Sequence, residues 1–134
     1  MSLNGSTNEE KIWNYLKAKG LPDCGIAGLM GNLYAESRLI PTNLQNSYEK
    51  SLGFTDAAYT AAVDNGTYQN FVKDSAGYGL AQWTYWSRKK SLLDFAKKKG
   101  KSIGDLEMQL DFLWNELQGY KAVISTLKTA KTVK

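Results

Sequence analysis

One carboxyl and one aromatic stretch carry residue types that suit chemistry. Glu36 closes the apolar, glycine-rich run Ile26-Ala27-Gly28-Leu29-Met30-Gly31-Asn32-Leu33-Tyr34-Ala35, and Tyr78-Gly79-Leu80-Ala81-Gln82-Trp83 follows further along the chain. Helical spacing sets Glu36 beside Leu33, Asn32 and Leu29, one and two turns back. A carboxyl on such a face loses water, and the negative end of the helix dipole disfavours its anion, so both effects favour the protonated acid. A protonated carboxyl facing aromatic rings can give its proton to a glycosidic oxygen. The plainer alternative is a helix-end ion pair with Arg38 or a lysine.

The aromatic stretch has the matching equipment. Gly77 and Gly79 allow close backbone approach to a ligand. Tyr78, Trp83, Tyr85 and Trp86 offer flat faces for sugar rings and polar tips for hydroxyls. Gln82 can both donate to and accept from a sugar or an acetamido group. An aromatic core loop is the alternative, and it is expected to hold for at least one of the tryptophans.

Composition narrows the chemistry. The chain has no histidine, which removes Ser-His and Cys-His nucleophile pairs and histidine-based zinc sites. Cys24 is the single cysteine. It permits no disulfide framework and no multi-cysteine metal cluster, and it reads as a buried structural thiol. No metal and no cofactor are expected, so the burden falls on the 13 aspartates and glutamates. An inverting hydrolase needs a second carboxylate to activate water, and a retaining one needs a nucleophile nearby. Asp74, on the loop leading into Tyr78, is the first choice, with Glu49 and Asp56 as fallbacks. The alternative for Asp74 is a turn-forming residue before Ser75-Ala76-Gly77.

The net charge is +4. The excess lies at Arg88, Lys89, Lys90, Lys97, Lys98, Lys99 and Lys101, and in the tail at Lys121, Lys128, Lys131 and Lys134. This reads as a solvated helix face with at most weak steering of polyanions. Nucleic acid is not an expected partner, because the aromatics cluster around Gly-Tyr-Gly and not among the lysines.

With 134 residues, 43% hydrophobic and 22% charged, the chain reads as one soluble, mainly α domain. No run is apolar enough to insert in a membrane. Residues 1–6 carry no signal-peptide pattern and resemble an expression scar, a disordered start or a cut inside a longer chain. Residues 7–134 form the single domain, expected to be excised from a larger protein.

The elements that must position the site follow from caps and spacing. A helix over 7–19 has Thr7-Asn8-Glu9-Glu10 as a capping box and stops at Gly20. Asp23 caps a second helix to about Ser37, whose three glycines suggest a central, buried position. A polar stretch over 41–76 holds a short helix from Asp56 to Asp64 and room for a small hairpin. Ser87 caps a basic helix over 87–99 that stops at Gly100. The clearest helix opens at Ser102-Ile103-Gly104-Asp105, with Ile103, Leu106, Leu110, Leu113 and Leu117 inward. A last helix is expected over 120–130, with Val123, Ile124 and Leu127 inward.

Ala35-Glu36-Ser37 followed by Gly77-Tyr78-Gly79-Leu80-Ala81-Gln82-Trp83-Thr84 resembles the phage tail lysozyme family of peptidoglycan hydrolases. More loosely it is similar to goose-type lysozymes and soluble lytic transglycosylases, where Glu-Ser precedes a Gly-Leu-x-Gln element. The resemblance runs from about Ile12 to Leu127, and includes Asp74-Ser75-Ala76-Gly77 and the Gln109 to Leu117 helix. It implies a lysozyme-like helical fold, with Glu36 as catalytic acid and Ser37 and the Gly79 to Gln82 loop at a sugar cleft. It implies bacterial peptidoglycan glycan strands as substrate, an extracellular, wall or phage-particle location, and other domains of a larger lysin or tail protein. The expected reaction is muramidase cleavage of the β-1,4 bond between N-acetylmuramic acid and N-acetylglucosamine. Lytic transglycosylation, N-acetylglucosaminidase action and a non-catalytic wall-binding module stay open as alternatives.

Overall fold

A computed structural model describes residues 5–45, 48–49 and 52–119. These residues hold five helices: α1 (Asn8–Ala18), α2 (Asp23–Ser37), α3 (Asp56–Asn65), α4 (Trp86–Lys99) and α5 (Leu106–Gln118). The protein is mainly helical, as its apolar spacing requires. Among the described residues no helix is long and apolar enough to cross a membrane. The helix expected over 120–130 lies outside the described residues.

Caps set most boundaries. Thr7 accepts the Glu10 N–H at 3.1 Å and starts α1. Glu10 reaches back to Ser6, bonding its N–H at 2.9 Å and its hydroxyl at 2.8 Å. Those bonds hold the Glu10 carboxyl below its ordinary range. Thr55 caps α3 and Asp105 caps α5, each through a bond to the N–H three residues on. Gly66 and Gly100 close α3 and α4 in the left-handed conformation. Two expected caps are not used. Asp23 is the first residue of α2 and pairs with Lys17 instead, while Pro22 holds the cap position. Helix α4 starts at Trp86 with Tyr85 before it, so Ser87 already lies inside the helix.

Helix α1 packs on α2 and α5, and α5 packs on α4. Ile12, Leu16, Ile26, Leu33, Leu92, Leu110 and Leu113 meet in one core. The position of α2 corrects the sequence expectation. Ile26, Leu29, Met30 and Leu33 are buried, but Gly31, Asn32, Tyr34, Ala35 and Glu36 are exposed. A side chain at Gly31 would meet nothing within 4 Å, so close packing does not explain that glycine. The helix lies along the edge of the core, not through its centre. Cys24, expected buried, is half-buried.

The hairpin lies later than expected. Tyr78 and Trp83 pair in antiparallel fashion, and Leu44 pairs with Tyr78 on the other side. Such short pairing is marginal by itself. Buried Gln109 on α5 supplies the anchor. Its amide nitrogen donates to the Pro41 and Ile103 carbonyls at 2.6 and 2.7 Å, and its oxygen accepts the Leu80 N–H at 3.0 Å. One side chain thus ties α5 to the hairpin, to the segment after α2 and to the turn before α5.

Gln109→Leu keeps the volume and leaves those three backbone groups without their partner. Each buried orphan costs about 1–3 kcal/mol. The expected result is a urea midpoint lowered by a loss of at least about 3 kcal/mol, with the denaturant slope unchanged. An unmoved midpoint would remove Gln109 from this role.

Candidate active site

Glu36 stands on the last turn of α2 and is exposed. On α2 the last apolar core residue is Leu33, one turn earlier, and Glu36 faces solvent, contrary to the expected apolar setting. The chain then turns sharply. Arg38 and Leu39 both take left-handed backbone conformations, with φ of 55° and 63°. Such conformations are strained for side-chain-bearing residues and persist only where the surroundings impose them. Several bonds impose them here. Arg38 N–H bonds the Tyr34 carbonyl at 2.8 Å, and the Asn8 amide bonds the Leu39 carbonyl at 3.0 Å. The Ser37 carbonyl accepts the Ile40 N–H and the Asn43 side-chain amide, both at 3.1 Å. Ser37 itself is buried, and its hydroxyl donates to the Leu33 carbonyl at 3.0 Å.

Asn43 then leads to the hairpin. Its carbonyl accepts the Gly79 N–H and the Gln82 side-chain amide, each at 2.9 Å. The end of the Glu36 helix and the Gly79–Gln82 turn are therefore neighbours, joined through one asparagine. This is the pairing that residue types suggested. Its details differ. Tyr78 and Trp83 are fully buried, so neither ring has a face to offer a sugar. The Tyr78 hydroxyl bonds Thr60 at 2.5 Å, and the Trp83 indole N–H donates to Glu116 at 2.9 Å. Gly79 is needed for fit within the protein. At φ 84° it takes the left-handed region, and a Cβ there would sit 2.9 Å from the Trp83 ring and 3.0 Å from Gln109. Gln82 is half-buried, at φ 50°, and spends both amide hydrogens on the Asn43 and Gly79 carbonyls. Of the four aromatics singled out around this stretch, Tyr85 and Trp86 face solvent, 65% and 56% exposed. Their ring centroids lie 6.3 Å apart.

Asp74 has a different surrounding from the one expected of a second catalytic carboxylate. Its side chain is 4% exposed and pairs with Lys89, itself fully buried, at 2.5 Å. It also accepts the Tyr59 hydroxyl at 2.6 Å, the Tyr68 hydroxyl at 2.8 Å and the Ala76 N–H at 3.0 Å. Lys89 donates to the Ala76 carbonyl at 2.8 Å and lies 4.3 Å from the Phe71 ring centre. Lys89 therefore does not belong to the solvated basic face, whereas Lys90, Lys97, Lys98, Lys99 and Lys101 do. Burial pushes Lys89 down, against the pull of Asp74. Burial and the bond to Asp74 push Tyr59 and Tyr68 up. A buried ion pair satisfied on all sides fastens the 74–76 loop to α4 and α3. It presents no lone pair to a ligand.

The fallback carboxylates stand closer to solvent. Glu49 lies within hydrogen-bonding reach of Asp56, and that contact pushes Glu49 up. Asp56 also accepts the Leu44 N–H at 3.0 Å, which places the pair one residue beyond Asn43. Three surface grooves are lined respectively by residues around Arg88 and Glu116, around Glu9 and Trp13, and around Asp64 and Lys97. Glu36 lines none of these three. Among the described residues no cluster of histidine, cysteine, aspartate or glutamate could hold a metal ion.

Sequence reasoning missed Asn43, Gln109 and Glu116. Gln109 carried a signal, a lone amide between the apolar Met108 and Leu110. Asn43 carried none beyond its place after Pro41.

A mainly helical domain with an exposed glutamate at a helix end, beside a Gly-Leu-Ala-Gln turn, has the architecture of a lysozyme-like domain. The phage tail lysozyme family matches residues 7–134, essentially the whole chain, and the chain belongs to that family. Membership suggests a lysozyme-like, peptidoglycan-degrading function and a secreted or phage-associated protein. No curated protein and no solved structure matches the chain.

Asp74→Asn leaves the Lys89 ammonium buried without its counter-charge. Breaking such a pair costs about 3–5 kcal/mol, so a large drop in melting temperature is expected, read by circular dichroism. A normal melting temperature with lost wall cleavage would instead return Asp74 to catalysis.

Alkaline pH tests the same network. Tyr15, Tyr59, Tyr68 and Tyr78 all have raised pKa values, so the folded protein keeps protons that the unfolded chain releases near pH 10. Their contribution is complete below about pH 10 and is lost above it. Lys89, lowered, acts in the opposite sense only up to about pH 10.5, where the unfolded lysine has also lost its proton. Melting temperature should therefore fall steeply above about pH 10.5. A flat profile between about pH 10.5 and 12 would contradict the burial of these hydroxyls.

Proposed function

We propose that this domain is a muramidase-type hydrolase, cleaving the β-1,4 bond between N-acetylmuramic acid and N-acetylglucosamine in peptidoglycan, with Glu36 as its general acid. The observation that carries this reading is the exposed Glu36 carboxyl beside the Gly79–Gln82 turn, in a chain of the phage tail lysozyme family. A glycan laid over Glu36 supplies the water exclusion that the free protein does not. Glu36 then protonates the leaving glycosidic oxygen as an oxocarbenium-like centre develops. Gln82, with its amide hydrogens already bonded, meets the sugar through its carbonyl oxygen. Tyr85 and Trp86 take the stacking role expected of the aromatic stretch, because among its four rings theirs are the exposed ones. Ser37, Tyr78, Gly79 and Trp83 hold the site's shape from beneath.

The second carboxylate comes from the Glu49–Asp56 pair in preference to Asp74, since the pair borders the same segment and is not locked to a lysine. The burial of Asp74 also favours a second reading, lytic transglycosylation. There the substrate's own 6-hydroxyl attacks and no second carboxylate is required.

Glu36→Gln keeps the shape and removes the proton. Loss of turbidity of purified cell wall should slow by about 10²–10⁴-fold, the usual worth of a general acid, while the variant still sediments with the wall. Undiminished lysis would exclude Glu36 as the acid. Mass spectrometry of the wild-type digest separates the two reactions: reducing ends support the hydrolase, and anhydro ends support transglycosylation.

A further inference from the structure

We infer that Asn43 is the positioning residue that sets Glu36 against the Gly79–Gln82 turn, an inference that rests on Glu36 being the acid. Four hydrogen bonds converge on this one residue. Its side-chain amide donates to the Ser37 carbonyl at 3.1 Å, immediately after Glu36. Its own carbonyl accepts the Gly79 N–H and the Gln82 amide at 2.9 Å. Its N–H bonds the Ile40 carbonyl at 3.2 Å, so it also closes the turn that leaves α2.

The backbone around it explains why such a clamp is required. Arg38, Leu39 and Gln82 are three of the four side-chain-bearing residues with positive φ among the described residues, and they lie on the two segments that Asn43 joins. Left-handed backbone at Arg38 and Leu39 relaxes unless it is held. The Asn8 bond to Leu39 holds the far side of the turn against α1. The Asn43 bond to Ser37 holds the near side against the hairpin. Without it, the end of α2 loses its tie to the hairpin, and Glu36 shifts relative to the Gly79–Gln82 turn. A displacement of about 1 Å at a reacting group can cost about 100-fold in rate. Asn43 touches neither substrate nor proton in this account. It acts through Glu36 and Gln82.

The amide's role as a donor supplies a specific test. Asn43→Asp keeps the shape but turns a carboxylate oxygen toward the Ser37 carbonyl, and only its protonated form can donate. Asn43→Ala cannot donate at any pH. Both variants, wild type and Glu36→Gln are assayed on a soluble β-1,4-linked N-acetylglucosamine–N-acetylmuramic acid oligosaccharide, below the melting temperature of each. Glu36 and Arg38 at the helix end, and Glu49 and Asp56 beyond Leu44, also titrate or carry charge here. Rates are therefore taken as ratios to wild type at each pH. At pH 7 both Asn43 variants should lose about 10- to 100-fold in kcat with KM within about 2-fold. As pH falls toward about 4, the ordinary aspartate range, the Asn43→Asp ratio should recover while the Asn43→Ala ratio stays low. If Asn43→Asp tracks Asn43→Ala at every pH, or if either keeps wild-type kcat, the inference is overturned. If Glu36→Gln is as active as wild type, the reading of Glu36 falls and this inference falls with it. If Glu36→Gln is inactive and only the Asn43 ratios fail, the acid stands and the positioning role does not.

Discussion

The candidate site depends on bonded side-chain amides more than on regular secondary structure. The Tyr78–Trp83 hairpin has a short ladder, with bonds of 3.1 and 2.9 Å between the two residues, and a single bridge from Tyr78 to Leu44. It keeps its place because Gln109 reaches it from α5, Glu116 bonds the Trp83 indole, and Asn43 joins it to the end of α2. In a low-dielectric interior each bond is electrostatically stronger than in water, and an unmade partner is costly. That asymmetry holds an irregular loop as firmly as a helix. Gln109 matters most, since it orders the segment after α2, the hairpin and the turn before α5 together.

A second polar centre works by the same physics with charge. Lys89 and Asp74 are both buried, and Tyr59, Tyr68 and the Ala76 backbone satisfy what the ion pair leaves over. The pair fixes the loop that feeds the hairpin. Such a centre leaves no free lone pair at its surface. Asp74 holds structure, and Glu36 remains at the surface.

The fold was largely legible from residue pattern. Thr7, Thr55 and Asp105 carry oxygen side chains just before apolar periodic runs, and Gly66 and Gly100 follow such runs, so helix ends could be placed locally. Ser87 and Asp23 misled for a local reason: a good capping residue is one of several ways to begin a helix, and Pro22 and Tyr85 served instead. The hairpin was misplaced because its pairing partners are chosen by Gln109 and Leu44, which lie far away in sequence. The site was legible in part. The end of α2 and the Gly79–Gln82 turn are neighbours through Asn43, but Tyr78 and Trp83 turn inward while Tyr85 and Trp86 turn outward. Residue type cannot tell these cases apart, because all four rings suit either place.

The chain alone determined the available chemistry. Without histidine and with one cysteine, acid–base work falls to carboxylates, and residue order along 7–134 places the chain in the phage tail lysozyme family. These are properties of composition and order, and no folding is needed to read them. Burial was decided only by the tertiary structure. It exposed Glu36, buried Lys89 with Asp74 and made Asn43 the link between helix end and turn. The reason is that burial and hydrogen-bond partnership are relations between distant segments. A residue's type limits those relations, and only packing selects among them.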